Sequence, residues 1–207
     1  MVILFMVGNM ILNNTNLTFK QFLTEANSTP IICVDIQPAY HDYLKSRIDI
    51  TDTMQFMSRC TSKMLVFFNG DDVGVEDKEP EVEWYFQEYG YEPRAQVKMI
   101  EKGYAFFRNW MDQGVSNATM IKVIRKMAME RKNDARDLDD LEEFLGDEWQ
   151  DLMADESFYI PDIDLRLLKQ FNGCYLIGGG EHECLAEIKL LMDAFNIKYT
   201  LVREFIY

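Results

Sequence analysis

The sequence predicts an α/β fold in which a mostly parallel central sheet lies between two layers of helices. Short apolar runs typical of strands buried on both faces recur at residues 31–36, 64–68, 97–100, 174–177 and 198–202. Segments with helical spacing alternate with them, at residues 51–60, 81–89 and 116–129 and from Cys184 onward. This alternation is typical of parallel strands joined by helical crossovers, so we expect a three-layer α/β/α, Rossmann-like architecture.

Length and composition predict one globular domain over residues 1–207, because 48% of the residues are hydrophobic and 27% are charged. We expect residues 105–160 to form a helical insertion or cap within that domain. Ser116 is placed to cap the first of its helices. Residues 134–156 are dense in Asp and Glu with apolar residues at helical spacing, which predicts a pair of amphipathic helices. Their acidic face is either solvated, or part of a lid, or a surface for a basic partner.

The formal net charge of -14 disfavours nucleic-acid partners and anionic membranes. The four cysteines include no CxxC pair and do not predict a zinc site or a disulfide framework. The apolar run at residues 1–10 lacks the basic flank of a signal peptide and is too short to span a bilayer. We therefore expect a cytoplasmic, reduced protein with no membrane embedding, and the sequence is compatible with a homo-oligomer.

Three features of the sequence fall at the carboxyl ends of the expected strands. Asp35 ends the first apolar run, Asn69 ends the second, and Gly178, Gly179 and Gly180 follow the fourth. In open parallel sheets, ligands bind in the crevice outside these strand ends. The sequence therefore predicts the working site where Asp35 and the glycine turn meet.

A cysteine with a favourable setting for chemistry follows the glycine turn. Cys184 falls at a helix N-terminus, where unpaired N–H groups and the helix dipole favour a thiolate and can hold an oxyanion. Asp35 could accept the thiol proton, and Lys102, after the third run, could steady negative charge. Glu181 and Glu183 would raise the pKa of the thiol. Cys184 also begins an apolar helical stripe, so a plain core role stays open.

Several segments resemble the isochorismatase-like cysteine hydrolases, a family that includes the nicotinamidases. Val34-Asp35-Ile36-Gln37 is similar to the strand end that carries the family's aspartate, and residues 100–107 resemble its lysine segment, in which a Phe follows. Residues 178–185 are similar to its glycine turn and nucleophilic cysteine, and residues 192–202 resemble the end of its helix and its closing strand.

The resemblance implies an Asp–Lys–Cys triad that hydrolyses small amides or vinyl ethers through a thioester-type intermediate, with no cofactor. At the matching positions, Asp35 is expected to be the base, Lys102 the electrostatic partner and Cys184 the nucleophile. The residues expected to contact substrate lie beside them: Gln37, Asn69, Gly178, Gly179, Gly180 and Phe107.

Two alternatives remain. The strand-end carboxylates also resemble PIN-like and NYN nucleases, in which Asp35, Glu181 and Glu183 would hold Mg²⁺ or Mn²⁺ for phosphodiester cleavage. Asp71, Asp72 or Asp137 would then be additional ligands. The other alternative is a non-catalytic binding protein on the same scaffold, with the acidic segment 134–156 as its contact surface.

Overall fold

The computed structural model describes residues 27–69, 82–102, 107–146, 152, 158–161 and 163–207. Several features singled out by the sequence lie outside these residues. They are the apolar run at residues 1–10, Asp71, Asp72, residues 103–106 of the lysine segment and most of residues 147–157. Among the described helices, none has the length and apolarity needed to cross a membrane.

The core of the fold is a five-stranded sheet in which every strand pair is parallel. Its strands lie in the order β3-β2-β1-β4-β5. Their bounds are β1 Ile31–Val34, β2 Lys63–Asn69, β3 Gln96–Lys102, β4 Cys174–Gly178 and β5 Tyr199–Leu201. The predicted α/β fold with a parallel sheet is confirmed, and each apolar run named above overlaps one strand.

Helices connect and flank these strands. Their bounds are α1 His41–Lys45, α2 Ile50–Ser58, α3 Val82–Glu88, α4 Arg108–Asp112, α5 Asn117–Glu130, α6 Glu142–Leu145, α7 Leu165–Lys169 and α8 Cys184–Ala194. Short 3₁₀ turns occur at Pro38–Tyr40, Ala135–Asp137 and Arg203–Phe205. The Ser116 side chain accepts a hydrogen bond from the Thr119 N–H, so the predicted cap of α5 is confirmed.

The sheet is covered by apolar packing on both faces. Along β1, Ile32 and Val34 join one buried cluster, while Ile31 and Cys33 join the other. The first cluster includes the apolar faces of α5 and α8, and the second includes those of α2 and α3. This two-sided burial explains why the strands read as continuous apolar runs and not as alternating ones.

The acidic segment after α5 differs from the predicted pair of amphipathic helices. Its described part contains a 3₁₀ turn at Ala135–Asp137 and the four-residue helix α6. The Asp134 carboxylate accepts the Arg136 N–H, a local bond that competes with helix formation, and Gly146 ends α6 at a φ of 70°. Leu138 and Leu141 are nevertheless buried. Their spacing therefore predicted their burial correctly, but it did not predict the backbone conformation.

The strand order places a topological switch point beside β1, where open parallel sheets have a ligand-binding crevice. The chain leaves β1 toward β2 and β3 on one side and later places β4 and β5 on the other, so the connections diverge at the β1–β4 pair. Gly178 ends β4 opposite Val34, with a φ of 77°. A Cβ there would lie 2.1 Å from the Val34 carbonyl oxygen, so only glycine allows this close approach.

Candidate functional site

Asp35 directly follows β1 at this switch point and is fully buried. Its backbone has a left-handed φ of 52°, which Asp tolerates better than most residues. The Asp35 N–H donates to the Phe67 carbonyl at 2.9 Å, and its own carbonyl accepts the Tyr207 hydroxyl at 3.0 Å. These contacts on both sides of the residue fix the backbone and so the direction of the carboxylate.

Lys102 reaches Asp35 from two strands away. It is the last residue of β3, and its side chain extends past the end of β2 to place Nζ 2.9 Å from Asp35 Oδ2. Both side chains are fully excluded from solvent. Burial lowers the pKa of Lys102, but attraction to Asp35 and to Cys184 outweighs it, so the net pKa lies above the ordinary value. The ammonium is therefore charged at neutral pH.

Cys184 approaches the same ion pair from the other side of β1. It is the first residue of α8, it is half-buried, and it lies near enough to Asp35 and Lys102 for both charges to act on its thiol. Burial and the Asp35 charge raise the pKa of the thiol, the Lys102 charge opposes both, and the net pKa is about 12. Burial and the Asp35 charge therefore outweigh the stabilisation of a thiolate that the helix N-terminus predicted. In the resting protein the thiol keeps its proton beside a carboxylate.

The other three cysteines differ from Cys184. Cys33 and Cys174 are fully buried in the sheet, in line with the core role predicted for them. The Cys60 thiol is also buried and donates to the backbone carbonyls of Thr29 and Lys63. Cys184 is the cysteine that combines partial exposure with charged neighbours.

A second buried carboxylate lies at the site and was missed by the sequence analysis. Glu187 is 1% exposed and stands three residues after Cys184 on α8. Burial raises the pKa of Glu187 to about 7, although the Phe107 N–H and the Lys102 charge both lower it. The sequence held one sign of a buried acid: Glu187 lies between Leu185 and Ile188, in a stretch of the helix that is otherwise apolar.

Gln37 and Asn69, predicted to contact substrate, hold the ends of two strands together. The Gln37 side-chain amide donates to the Asn69 carbonyl at 3.2 Å and accepts the Asn69 N–H at 2.9 Å. The Asn69 side chain donates to the Tyr40 hydroxyl at 3.1 Å. Gln37 is thus engaged by the protein itself, and its contacts fix the gap that Lys102 crosses to reach Asp35.

The remaining predicted contact residues fall into two groups. A Cβ on Gly179 or Gly180 would lie 3.0 Å from the Leu185 N or the Glu183 carboxylate, so the glycine turn packs tightly against the start of α8. Phe107 is fully buried, and its ring packs on Phe158 with centroids 4.9 Å apart. The ring therefore belongs to the core, and Phe107 contributes its backbone N–H to the site.

The alternative metal set is not brought together. Glu181 pairs with Arg203 at 3.0 Å, Glu183 is exposed, and Asp35 pairs with Lys102. Across the described ranges, no three His, Cys, Asp or Glu side chains, Asp137 included, are grouped so that they could hold a metal ion. The positive charge that this alternative assigned to a metal at Asp35 is supplied by the Lys102 ammonium.

Comparison with known proteins identifies no relative of this chain. No protein-family model matches the sequence, and neither the curated proteins nor the solved structures give a match. A function for the chain must therefore be inferred from the side chains at the β1–β4 crevice.

Proposed function

We propose that this chain is an isochorismatase-like cysteine hydrolase that cleaves a small amide or vinyl ether. Cys184 is the nucleophile, Asp35 the general base and Lys102 the electrostatic partner. One observation carries the proposal: a thiol, a carboxylate and an ammonium from α8, β1 and β3 meet at the crevice where ligands bind in such sheets. A buried ion pair costs desolvation energy, so its placement beside a partly exposed thiol favours a chemical role.

The charges of the site support transfer of the thiol proton to Asp35. Before transfer, the Lys102 ammonium pairs with the Asp35 carboxylate while Cys184 is neutral. After transfer, Asp35 is neutral and the ammonium faces a thiolate, so the three groups keep the same total charge. Lys102 therefore lowers the energy of the reactive state, even though the resting pKa of the thiol is high.

For an amide substrate, the Cys184 sulfur attacks the carbonyl carbon as its proton passes to Asp35. The resulting oxyanion is stabilised by the positive end of the α8 dipole, since the Glu183 and Leu185 N–H groups there already donate to the Gly180 carbonyl. Collapse breaks the C–N bond, the amine takes the proton from Asp35, and a thioester remains. Water then gives a proton to Asp35 and attacks the thioester, the C–S bond breaks, and the sulfur recovers the proton as the acid is released.

The proposal also includes a reducing compartment, in which the Cys184 thiol stays free to react. All four cysteines are free thiols, which fits a reducing compartment. We therefore place the enzyme in the cytoplasm, with a small molecule as substrate.

The proposal is tested with a panel of small primary amides and vinyl ethers, following ammonia or carbonyl release together with the intact mass of the protein. We expect turnover with at least one substrate and an acyl adduct on Cys184 under rapid quenching. Cys184→Ser should lower kcat/KM by at least about 10³-fold, because the hydroxyl is a far weaker nucleophile than the thiol.

Cys60→Ser is the matched control, since the same replacement at a thiol outside the site should leave kcat/KM within about twofold of wild type. Full activity in folded Cys184→Ser would overturn the proposal. Absence of turnover and of any adduct across the panel would favour the non-catalytic binding protein.

A further inference from the structure

Glu187 is a buried acid that the proposed reaction does not use. It lies on α8 one helical turn after Cys184, and its carboxylate accepts the Phe107 N–H at 2.7 Å. The backbone of Arg108 lies near the same carboxylate and helps to lower its pKa. Because Phe107 is the N-cap of α4, Glu187 pairs a backbone N–H at the start of that helix from across the site.

This bond joins the two chain segments that carry the reacting groups. Phe107 and Arg108 follow Lys102 closely in sequence, whereas Glu187 is on the same helix as Cys184. A carboxylate that holds a backbone N–H of one segment therefore restrains the position of the other. The contact sets how far the nucleophile helix stands from the lysine that crosses to Asp35.

The charges that face Glu187 are unbalanced when it is ionised. Lys102 faces it from β3 and Asp35 faces it from the end of β1, while Cys184 is on its own helix. The Arg108 guanidinium also acts on it, but that group is partly exposed and pairs with Asp112 at 2.9 Å. One buried ammonium thus faces two carboxylates.

We propose that Glu187 is a positioning residue that links the lysine segment to the nucleophile helix, and that its ionisation weakens the Cys184 nucleophile at alkaline pH. This inference rests on the proposed function, because it assigns Glu187 a role in the reaction of Cys184. Near neutral pH, Glu187 titrates, since burial raises its pKa to about 7. Above that pH, its charge raises the pKa of the neighbouring thiol and so lowers the thiolate fraction.

The test is the rate of Cys184 alkylation by iodoacetamide between pH 5.5 and 9, measured by peptide mass spectrometry on the folded full-length protein. For wild type, we expect the logarithm of the rate to rise less steeply between pH 6 and 8 than on either side. In Glu187→Gln, the same plot should be a straight line. The ratio of variant to wild-type rate should rise at least about threefold from pH 5.5 to 9, equivalent to about half a pKa unit on the thiol.

Glu183→Gln is the matched control, because Glu183 is an exposed acid next to Cys184 and solvent screens it. Its ratio to wild type should stay constant with pH. A constant ratio for Glu187→Gln would overturn the proposal, since a purely structural contact changes the rate equally at every pH. If that variant does not fold, a straight wild-type plot overturns it instead.

Alkylation needs no substrate, so the two proposals fail separately. A rising ratio without any Cys184-dependent hydrolysis would reject the hydrolase and leave the electrostatic coupling standing. A flat ratio together with Cys184-dependent hydrolysis would reject the role of Glu187 alone.

Discussion

Among the described residues, the local ion pairs at turns form in a different way from the buried ion pair at the site. Arg166 pairs with Asp164 at 3.0 Å, and the Asp164 carboxylate also accepts the Arg166 N–H at the start of α7. Arg136 and Asp134 repeat this arrangement at a 3₁₀ turn. These pairs are local and solvent-exposed. The Asp35–Lys102 pair joins β1 to β3 across β2 and is fully buried, so it exists only once the sheet has assembled.

The comparison shows that the ion pair at the candidate site is the one whose loss would destabilise the fold most. A local exposed pair forms with its turn and contributes little, because water screens it. A buried pair contributes little net stability compared with an apolar replacement, yet losing one partner leaves a charge without compensation. Among the described ion pairs, only Asp35–Lys102 is fully buried, and it lies beside Cys184.

The largest expected effect comes from breaking the buried pair. Lys102→Met should lower the free energy of unfolding by about 3–5 kcal/mol at pH 7, because Asp35 is left buried without its cation. Urea denaturation measures this change. The matched surface variant Arg166→Gln should leave the urea midpoint almost unchanged, and equal losses in the two variants would contradict the comparison.

The glycine turn beside the site offers a second contrast. Gly178→Ala should cost about 3 kcal/mol or more, because its Cβ would lie 2.1 Å from the Val34 oxygen at a φ of 77°. Gly173 has a similar φ of 82° but nothing within 4 Å of an added Cβ. Gly173→Ala should therefore cost only about 1 kcal/mol of backbone strain. Thermal unfolding of both variants measures the difference, and equal losses would show that the close approach to β1 is unimportant.

Glu187 should make stability depend on pH in the opposite sense to a carboxylate whose pKa is lowered on folding, such as Asp134. Its pKa is raised from 4.5 to about 7, so the folded state binds more protons than the unfolded state between these values. Its stabilising contribution is therefore complete below pH 4.5 and is lost as pH rises through 7. Relative to Glu187→Gln, wild type should lose about 3 kcal/mol between pH 4.5 and 8. Parallel stability curves for the two proteins would contradict this.

The smallest effect should come from a local contact far from the site. Ser116→Ala removes the side-chain acceptor for the Thr119 N–H and should cost about 1 kcal/mol by losing the cap of α5. Ser116→Asp, which keeps an acceptor, should restore the loss when measured by thermal unfolding. A loss as large as that of Lys102→Met would contradict the distinction between local contacts and contacts that form only in the assembled sheet.

The sequence predicted the parts of the fold that depend on local pattern. Continuous apolar runs marked the strands, and Ser116 marked the start of α5. In the described part of the acidic segment, residues 134–141 do not form the predicted helix, because the Asp134 side chain accepts the Arg136 N–H, a local contact that apolar spacing does not report. Glu187 was missed because its partners, Phe107 and Lys102, come near it only in the assembled fold. For the same reason, the sequence could not show that Gln37 is engaged by Asn69.

The central claim is that Asp35 acts on Cys184, and Asp35→Asn tests it most directly, because Asn also tolerates the left-handed backbone. Without the Asp35 charge, the pKa of the Cys184 thiol falls, so alkylation by iodoacetamide should speed up at least about threefold. Hydrolysis should slow by about 10²-fold or more, because the general base is lost. An unchanged alkylation rate at Cys184 in folded Asp35→Asn would contradict the account.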